Sequence, residues 1–303
     1  MKLIGDIGGT KVLLALVDEA GIIVRESRYA SADFSCFEDL LATYLAANPA
    51  QVSGGCLAVA GPVREDGHSV KVTLLPWAIN AAELEMRFGL GQISLVNDFA
   101  AVAAGVTAIT PDRLLPIQLG VPVSDGLRLV LGAGTGMGVA ALMGNRIIPS
   151  EAGHIGFSPA DETQAQVWSA LHRSYGRVSA QRIISGPGLT EIHLALTRER
   201  ESPEMIGTRA LAGEAAARRS IDFFFACYGA FAGDMAMTFM ARGGVYLAGG
   251  VTQKLLPLLA DSPFLKSFNA KAEHAALVAQ IPVYILTDGA IGLSGAAVLA
   301  GLS

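Results

Sequence analysis

Two stretches of this chain repeat one design. Residues 2–17, KLIGDIGGTKVLLALV, and residues 127–143, LRLVLGAGTGMGVAALM, each read as a buried strand, a glycine-rich turn and a second buried strand. Short apolar runs bounded by glycine mark strands that are covered on both faces. A chain of 303 residues is long enough for two cores. The repeat therefore implies two related α/β halves around a central cleft.

The remaining elements fit that plan. Strands are expected over 2–5 and 11–17, joined by the turn Asp6-Ile7-Gly8-Gly9-Thr10, with a third strand over 21–30. Phe37 to Ala47 carries apolar residues at helical spacing, 55–60 is another buried strand ending in Gly61-Pro62, and 81–89 is a short helix before a strand at Ser94–Val96. Strands alternating with helices exclude an all-β fold. Helices dominate 162–241, and Gly244 to Ala248 is a further buried strand that ends in Gly249-Gly250. The alanine-rich tail, 289–303, reads as a helix in which Gly295 lets another backbone come close. With no low-complexity linker, the division is a smaller α/β domain, 1–108 plus 289–303, and a larger one, 109–288.

Charge narrows the partners. Charged residues are 16% of the chain, against about 25% in a typical soluble domain. The net charge of −5 and pI near 5.6 argue against nucleic acid or an anionic membrane, which need a basic face. A small-molecule or protein partner fits better. Cys36, Cys56 and Cys227 are far apart and form no C-x-x-C pair, which fits a reducing cytoplasm and no zinc site. Asp6 and Lys11 break any signal-peptide core. Ile221 to Ala241 is apolar enough to suggest a membrane span, but Asp222 and Asp234 interrupt it, so a core helix is expected.

Neither glycine turn is a common nucleotide motif. Thr10 precedes Lys11, which breaks the P-loop pattern, and Met137 stands where Gly132-Ala133-Gly134-Thr135-Gly136 would need a third spaced glycine for a dinucleotide fingerprint. Their physical use survives: glycines let successive N–H groups face an anion, and Thr10 and Thr135 add hydroxyls. Plain hairpin turns remain the alternative for each. Asp6 beside such a turn would repel phosphate unless a divalent cation such as Mg²⁺ lay between them. Gly249-Gly250 leaves room for a flat base and ribose, or is simply a strand-to-helix turn.

Three polar features stand out. Asn97-Asp98 sits where a buried strand meets a helix, either as a helix cap or as a carboxylate displayed at the carboxyl end of a strand. Glu151 and His154, three apart between glycines, are either an ordinary surface loop or an acceptor and donor pair for a polar ligand. Gln181 stands in GRVSAQRIISGPG, either packed beside Gly186-Pro187-Gly188 or in contact with a ligand.

Taken in order, GDIGGTK, LVNDF, GAGTGMGVA, SEAGHIGFSP, VSAQRIISGPG and YLAGGV resemble the bacterial glucokinases without a zinc motif, within the hexokinase, Hsp70 and actin group of ATP-binding folds. The likeness runs from residue 3 to about 298. It implies two actin-like, ribonuclease H-like lobes and ATP with Mg²⁺ as cofactors. Gly5, Asp6, Ile7, Gly8, Gly9, Thr10, Gly132, Gly134, Thr135, Gly136, Gly249 and Gly250 would face the nucleotide, with Asp6 toward the metal. It further implies that Asn97, Glu151, His154 and the position of Gln181 contact the hexose, glucose first among candidates, and that Asp98 is the general base on the 6-hydroxyl. A cytoplasmic homodimer is expected from the resemblance alone. Two departures bear on the substrate. The family has Asn soon after a Thr where this chain has Thr73-Leu74-Leu75-Pro76-Trp77, and it has Glu where this chain has Gln181. Another hexose, an amino sugar, or a non-catalytic sugar- or ATP-binding regulator remain the alternatives.

Overall fold

A strand made wholly of apolar residues needs cover on both faces, and the first sheet supplies it. The computed structural model describes residues 1–64 and 66–301. Its chain divides into two units, Met1–Thr110 with Ala290–Ser303, and Pro111–Gly289.

In the first unit the strands are β1 (Lys2–Ile7), β2 (Lys11–Val17), β3 (Ile23–Ala30), β4 (Gly54–Val59), β5 (Ser69–Lys71), β6 (Ala78–Asn80) and β7 (Gln92–Asn97). Five of them form a sheet in the order β3-β2-β1-β4-β7, and β5 pairs with β6 alone. Helix α1 (Phe37–Ala47) covers one face, where Phe37, Leu40 and Tyr44 pack on Leu3, Leu14 and Leu16. Helix α2 (Ala81–Phe88) leads into β7, and α3 (Asp98–Gly105) leaves it. The C-terminal helix, Ile291–Leu299, returns to cover the opposite face with α3, burying Ile4, Ala15 and Ala58 against Ala101, Leu293 and Ala296. Gly295 is required there: a Cβ on it would lie 1.7 Å from the Ala101 carbonyl oxygen.

Strands β1, β4 and β7 run parallel, with Ile7 opposite Val59 and Val59 opposite Asn97. Their carboxyl ends thus form one row, the edge at which open α/β sheets carry ligands. One expectation needs correcting. Asp6 and Ile7 belong to β1, paired with Leu13 and Val12 on one side and Ala58 and Val59 on the other. Two flanking ladders hold them extended, so the turn shrinks to Gly8-Gly9-Thr10.

The second unit repeats the pattern with β8 (Leu114–Gln118), β9 (Arg128–Ala133), β10 (Met137–Met143), β11 (Arg146–Ser150), β12 (Gly244–Ala248) and β13 (Val283–Leu286), ordered β11-β10-β9-β12-β13-β8. As β1 pairs antiparallel with β2 and parallel with β4, so β9 pairs antiparallel with β10 and parallel with β12. Here too the turn is shorter than expected, because Gly132 and Met137 lie within the ladder. Helices α4 (Glu162–Tyr175), α5 (Ala180–Ile183), α6 (Gly186–Thr197), α7 (Pro203–Leu211), α8 (Ala215–Thr238) and α9 (Gly250–Lys254) complete most of the unit. Phe224, Phe225 and Tyr228 of α8 are fully buried in its core. Its two acids stay at the surface side: Asp222 pairs with Arg218 at 2.9 Å and Asp234 with Lys271 at 2.7 Å. Among the described residues no helix is long and apolar enough to cross a membrane.

Candidate active site

In the first unit the row of strand ends gathers the Gly8-Gly9-Thr10 turn, the Ala60-Gly61 segment and Asn97-Asp98. Gly8 N–H donates to the Lys11 carbonyl at 2.9 Å, closing the turn. Ala60 N–H donates to Ile7 O at 2.8 Å, and Thr73 N–H to Ala60 O at 2.7 Å, which ties the next two loops to the same edge. Leu74, beside Gly9, takes a left-handed φ of 68° and is 72% exposed, an unusual conformation for a branched apolar residue.

The two readings of Asn97-Asp98 divide between the two residues. Asn97 is the N-cap of α3: its Oδ1 accepts from the N–H of Phe99 at 2.9 Å and of Ala100 at 3.3 Å, while its Nδ2 donates to Gly61 O at 3.2 Å. Asp98 is the first helical residue, and its Oδ1 accepts from Phe99 N–H at 2.9 Å. A carboxylate in the first turn of a helix is stabilised by the helix dipole. Capping by Asn97 thus leaves Asp98 in place for other chemistry.

Asp6, one residue before the end of β1, is partly buried. Desolvation pushes its carboxyl above the usual carboxylate range, and the Lys11 charge pulls in the opposite direction with smaller effect. Room for it comes from the C-terminal helix, where a Cβ on Gly292 would lie 2.9 Å from Asp6 Oδ2. Among the described residues no three His, Cys, Asp or Glu side chains cluster as a metal cage. A single desolvated carboxylate beside a glycine turn fits Mg²⁺, which is commonly held by one or two carboxylates together with phosphate oxygens and water. Gly5 and Ile7 serve the strand instead: a side chain at Gly5 would meet Leu57 and Leu14 within 2.9 Å, and Ile7 is fully buried.

In the second unit the turn is Gly134-Thr135-Gly136, closed by Gly134 N–H donating to Gly136 O at 2.8 Å. Gly186 N–H donates to Gly134 O at 2.8 Å, so the start of α6 is docked on the turn. Ser185 caps that helix, accepting from Gly188 N–H at 3.1 Å. Gln181 Oε1 accepts from Met137 N–H at 3.1 Å, directly after the turn. Gly249 must be glycine twice over. Its φ is 93°, and a Cβ there would lie 2.3 Å from the Ala133 carbonyl oxygen.

Glu151 and His154 lie on the segment after β11, with Glu151 Oε2 and His154 Nε2 3.9 Å apart and side chains 71% and 58% exposed. That segment is laced to the one carrying Gln181: Ala180 N–H donates to Ile155 O at 2.9 Å and Phe157 N–H to Val178 O at 3.0 Å. Glu151, His154, Gln181 and the second glycine turn are thereby gathered at one end of this unit's sheet.

Ser31 and Ser185, both buried, escaped sequence reading. Ser31 Oγ donates to Gly8 O at 3.0 Å, and its N–H donates to Thr10 O at 3.0 Å. No local signal marks Ser31, which lies 23 residues from Gly8. Ser185 was legible in principle, as a serine three residues before a helical N–H in SGPG.

A family model described as Glucokinase matches residues 3–302. A glucokinase from Cronobacter sakazakii is 35% identical over 97% of this chain and 95% of its own. The crystal structure of a glucokinase from an Antarctic psychrotroph is 29% identical and superposes with a TM-score of 0.84, covering 99% of this chain and 98% of that one. A glucokinase from Balamuthia mandrillaris, solved in complex with glucose, is 22% identical with a TM-score of 0.83, covering 99% and 93%, a likeness of fold. The two repeated sheets have the actin-like ATPase architecture of these sugar kinases.

Proposed function

This chain belongs to the glucokinase family and is an ATP-dependent glucose kinase, and from that premise we propose that Asp98 is the base that accepts the 6-hydroxyl proton as the γ-phosphoryl group moves to that oxygen. Phosphoryl transfer asks a protein for positioning and charge stabilisation more than for covalent help. The observation that carries the reading is the row of strand ends: Asp98 follows β7 at the same edge of the sheet as Gly8-Gly9-Thr10. Asn97, whose amide already spends one hydrogen on Gly61, offers the other to a sugar hydroxyl. Glu151 and His154 supply an acceptor and a donor for vicinal hydroxyls. Gln181, its oxygen held by Met137, presents its Nε2 hydrogens to the sugar.

For the nucleotide, Gly8, Gly9 and Thr10, and likewise Gly134, Thr135 and Gly136, would offer backbone N–H and hydroxyl donors to phosphates. Gly249-Gly250 receives the base and ribose. Asp6 would hold Mg²⁺, directly or through water, which when bound would supply charge neutralisation of the phosphates. Cytoplasmic residence and a homodimer complete the proposal on family grounds, and sedimentation velocity measures the second.

The test is coupled ADP release across a panel of glucose, other hexoses and amino sugars, with wild type and Asp98→Asn. Fastest turnover on glucose, lost in the variant while glucose still binds, is the expected result. Faster turnover on another sugar would reassign the substrate, the reading favoured by the amide at Gln181. Turnover retained in Asp98→Asn would remove Asp98 as base.

A further inference from the structure

We propose that Ser31 is a positioning residue for nucleotide binding: its hydroxyl fixes the Gly8–Gly9 peptide so that the Gly9 N–H projects toward the phosphates. The proposal rests on the reading of Gly8-Gly9-Thr10 as a phosphate turn.

Ser31 is only 1% exposed, so it acts on the turn and not on a ligand. It ends the run of β3 and opens a short 3₁₀ turn, Ser31–Asp33. From there one residue holds two carbonyls on either side of Gly9: its Oγ donates to Gly8 O and its N–H donates to Thr10 O, both at 3.0 Å. A trans peptide is planar and points its C=O and N–H in opposite directions. With Gly8 O drawn to Ser31, the Gly9 N–H must therefore point away from Ser31. Gly8 N–H is spent on Lys11 O, which leaves orientation of the Gly9 donor as the variable that matters.

Two consecutive glycines make that variable loose. Glycine populates both signs of φ at little cost, so an unclamped Gly8–Gly9 peptide can turn over and aim its carbonyl where the N–H should be. A ligand then binds only the competent fraction, and its apparent affinity falls by that fraction. The side chain of Ser31 has no part in the β2–β3 ladder, whose last pair is Lys11 with Ala30, and the bond to Thr10 uses only its backbone. Removing the hydroxyl leaves both in place and releases the Gly8 carbonyl alone.

Ser31→Ala, nearly equal to serine in volume with no donor, and Ser31→Cys, somewhat larger and a weak donor, are compared with wild type and with Gly9→Val in the full chain. The measurements are KM for ATP, KM for glucose, calorimetric Kd for a non-hydrolysable ATP analogue without sugar, and thermal melting. Both Ser31 variants are expected to raise the ATP KM and analogue Kd roughly five- to tenfold, with glucose KM and melting close to wild type. Ser31 variants within twofold of wild type for ATP, alongside a Gly9→Val that binds it poorly, would overturn the clamp and leave the phosphate turn standing. Equal rises in both KM values would also overturn it, since a general loosening makes no such distinction. If Gly9→Val leaves ATP binding unchanged, the phosphate-turn reading falls and the proposal with it.

Discussion

The two glycine turns share a sequence design and are fastened by different means. Gly8-Gly9-Thr10 is held from behind by a hydroxyl and an N–H of one distant serine, and a Cβ on Gly9 would already lie 3.3 Å from the Thr73 carbonyl. Gly134-Thr135-Gly136 is held at its flanks, by the first N–H of α6 and by the amide of Gln181, and a Cβ on Gly134 would meet nothing within 4 Å. Their neighbours differ as well. Asp6 directly precedes the strand end that leads into the first turn and Asp98 shares its sheet edge, whereas the side chain bonded directly after the second turn is the neutral amide of Gln181, with Glu151 further off on the next segment. The two units thus share the ladder and differ in the chemistry beside each turn.

The largest effect should come from the acidic side. Asp98→Asn is expected to lower kcat by roughly 10²–10⁴-fold, with glucose Kd little changed because Asn97 and the other hydroxyl contacts remain. Isothermal calorimetry beside steady-state kinetics reads both, and a variant keeping more than about a tenth of wild-type kcat would remove Asp98 as the base. On the open turn, Gly134→Val should raise the ATP KM at least about tenfold, leaving glucose KM and melting nearly unchanged, since a Cβ there meets nothing within 4 Å and the added side chain stands where the proposed phosphate site would be. An unchanged ATP KM would make the two turns functionally unequal.

Gln181→Glu sharpens the contrast between acid and amide. Glutamate keeps an oxygen for Met137 N–H and adds a charge, and charge-assisted hydrogen bonds are about twice as strong as neutral ones. Glucose KM should fall about tenfold with kcat nearly constant, as for a contact made equally in ground and transition states. Every hexose KM remaining within about twofold would separate Gln181 from the sugar. The smallest effect concerns Asp6. Its folded pKa is raised, so the protonated acid favours the folded apo protein, and this residue's contribution to stability grows as pH falls through that pKa. Holding Mg²⁺ requires the opposite, deprotonated state. The MgATP KM should therefore rise a few-fold on acidification through a pKa above the usual carboxylate range, while the wild-type minus Asp6→Asn difference in melting temperature moves in favour of wild type. A flat KM profile over that window would detach Asp6 from the ion.

Local signals explain which parts were legible. Helix α1 begins and ends where the apolar spacing of Phe37, Leu40, Leu41 and Tyr44 puts it, and the junction at Asn97-Asp98 was readable because a capping side chain follows an apolar strand. Asp6 and Ile7 resemble turn residues because glycines follow at once; two flanking ladders keep both extended, against the propensity of Asp6. The three-residue strands β5 and β6 are too short for alternation to register. Strand β8 carries Pro116 and lies at a sheet edge, where proline is tolerated and a strand signal is weakest. At the site, Glu151, His154 and Gln181 could each be singled out, but their lacing through Ile155–Ala180 and Phe157–Val178 is a tertiary fact. Ser31 is the extreme case: a serine after an edge strand has no meaning until the chain has folded it under Gly8.

The return of the C-terminal helix to the first sheet also sets an order of assembly. A ribosome delivers β1 to α3 first, yet the sheet face that α3 begins to cover is completed by Leu293, Ala296 and the close approach of Gly295 to Ala101. The segment between, Pro111–Gly289, is continuous and can bury its own core as soon as it emerges. The half translated first is therefore finished last. Until the C-terminal helix joins them, the strand bearing Asp6 and the helix bearing Asp98 wait with their shared apolar face only partly covered, and a nascent chain stalled short of that helix would carry a completed second unit and an unfinished first.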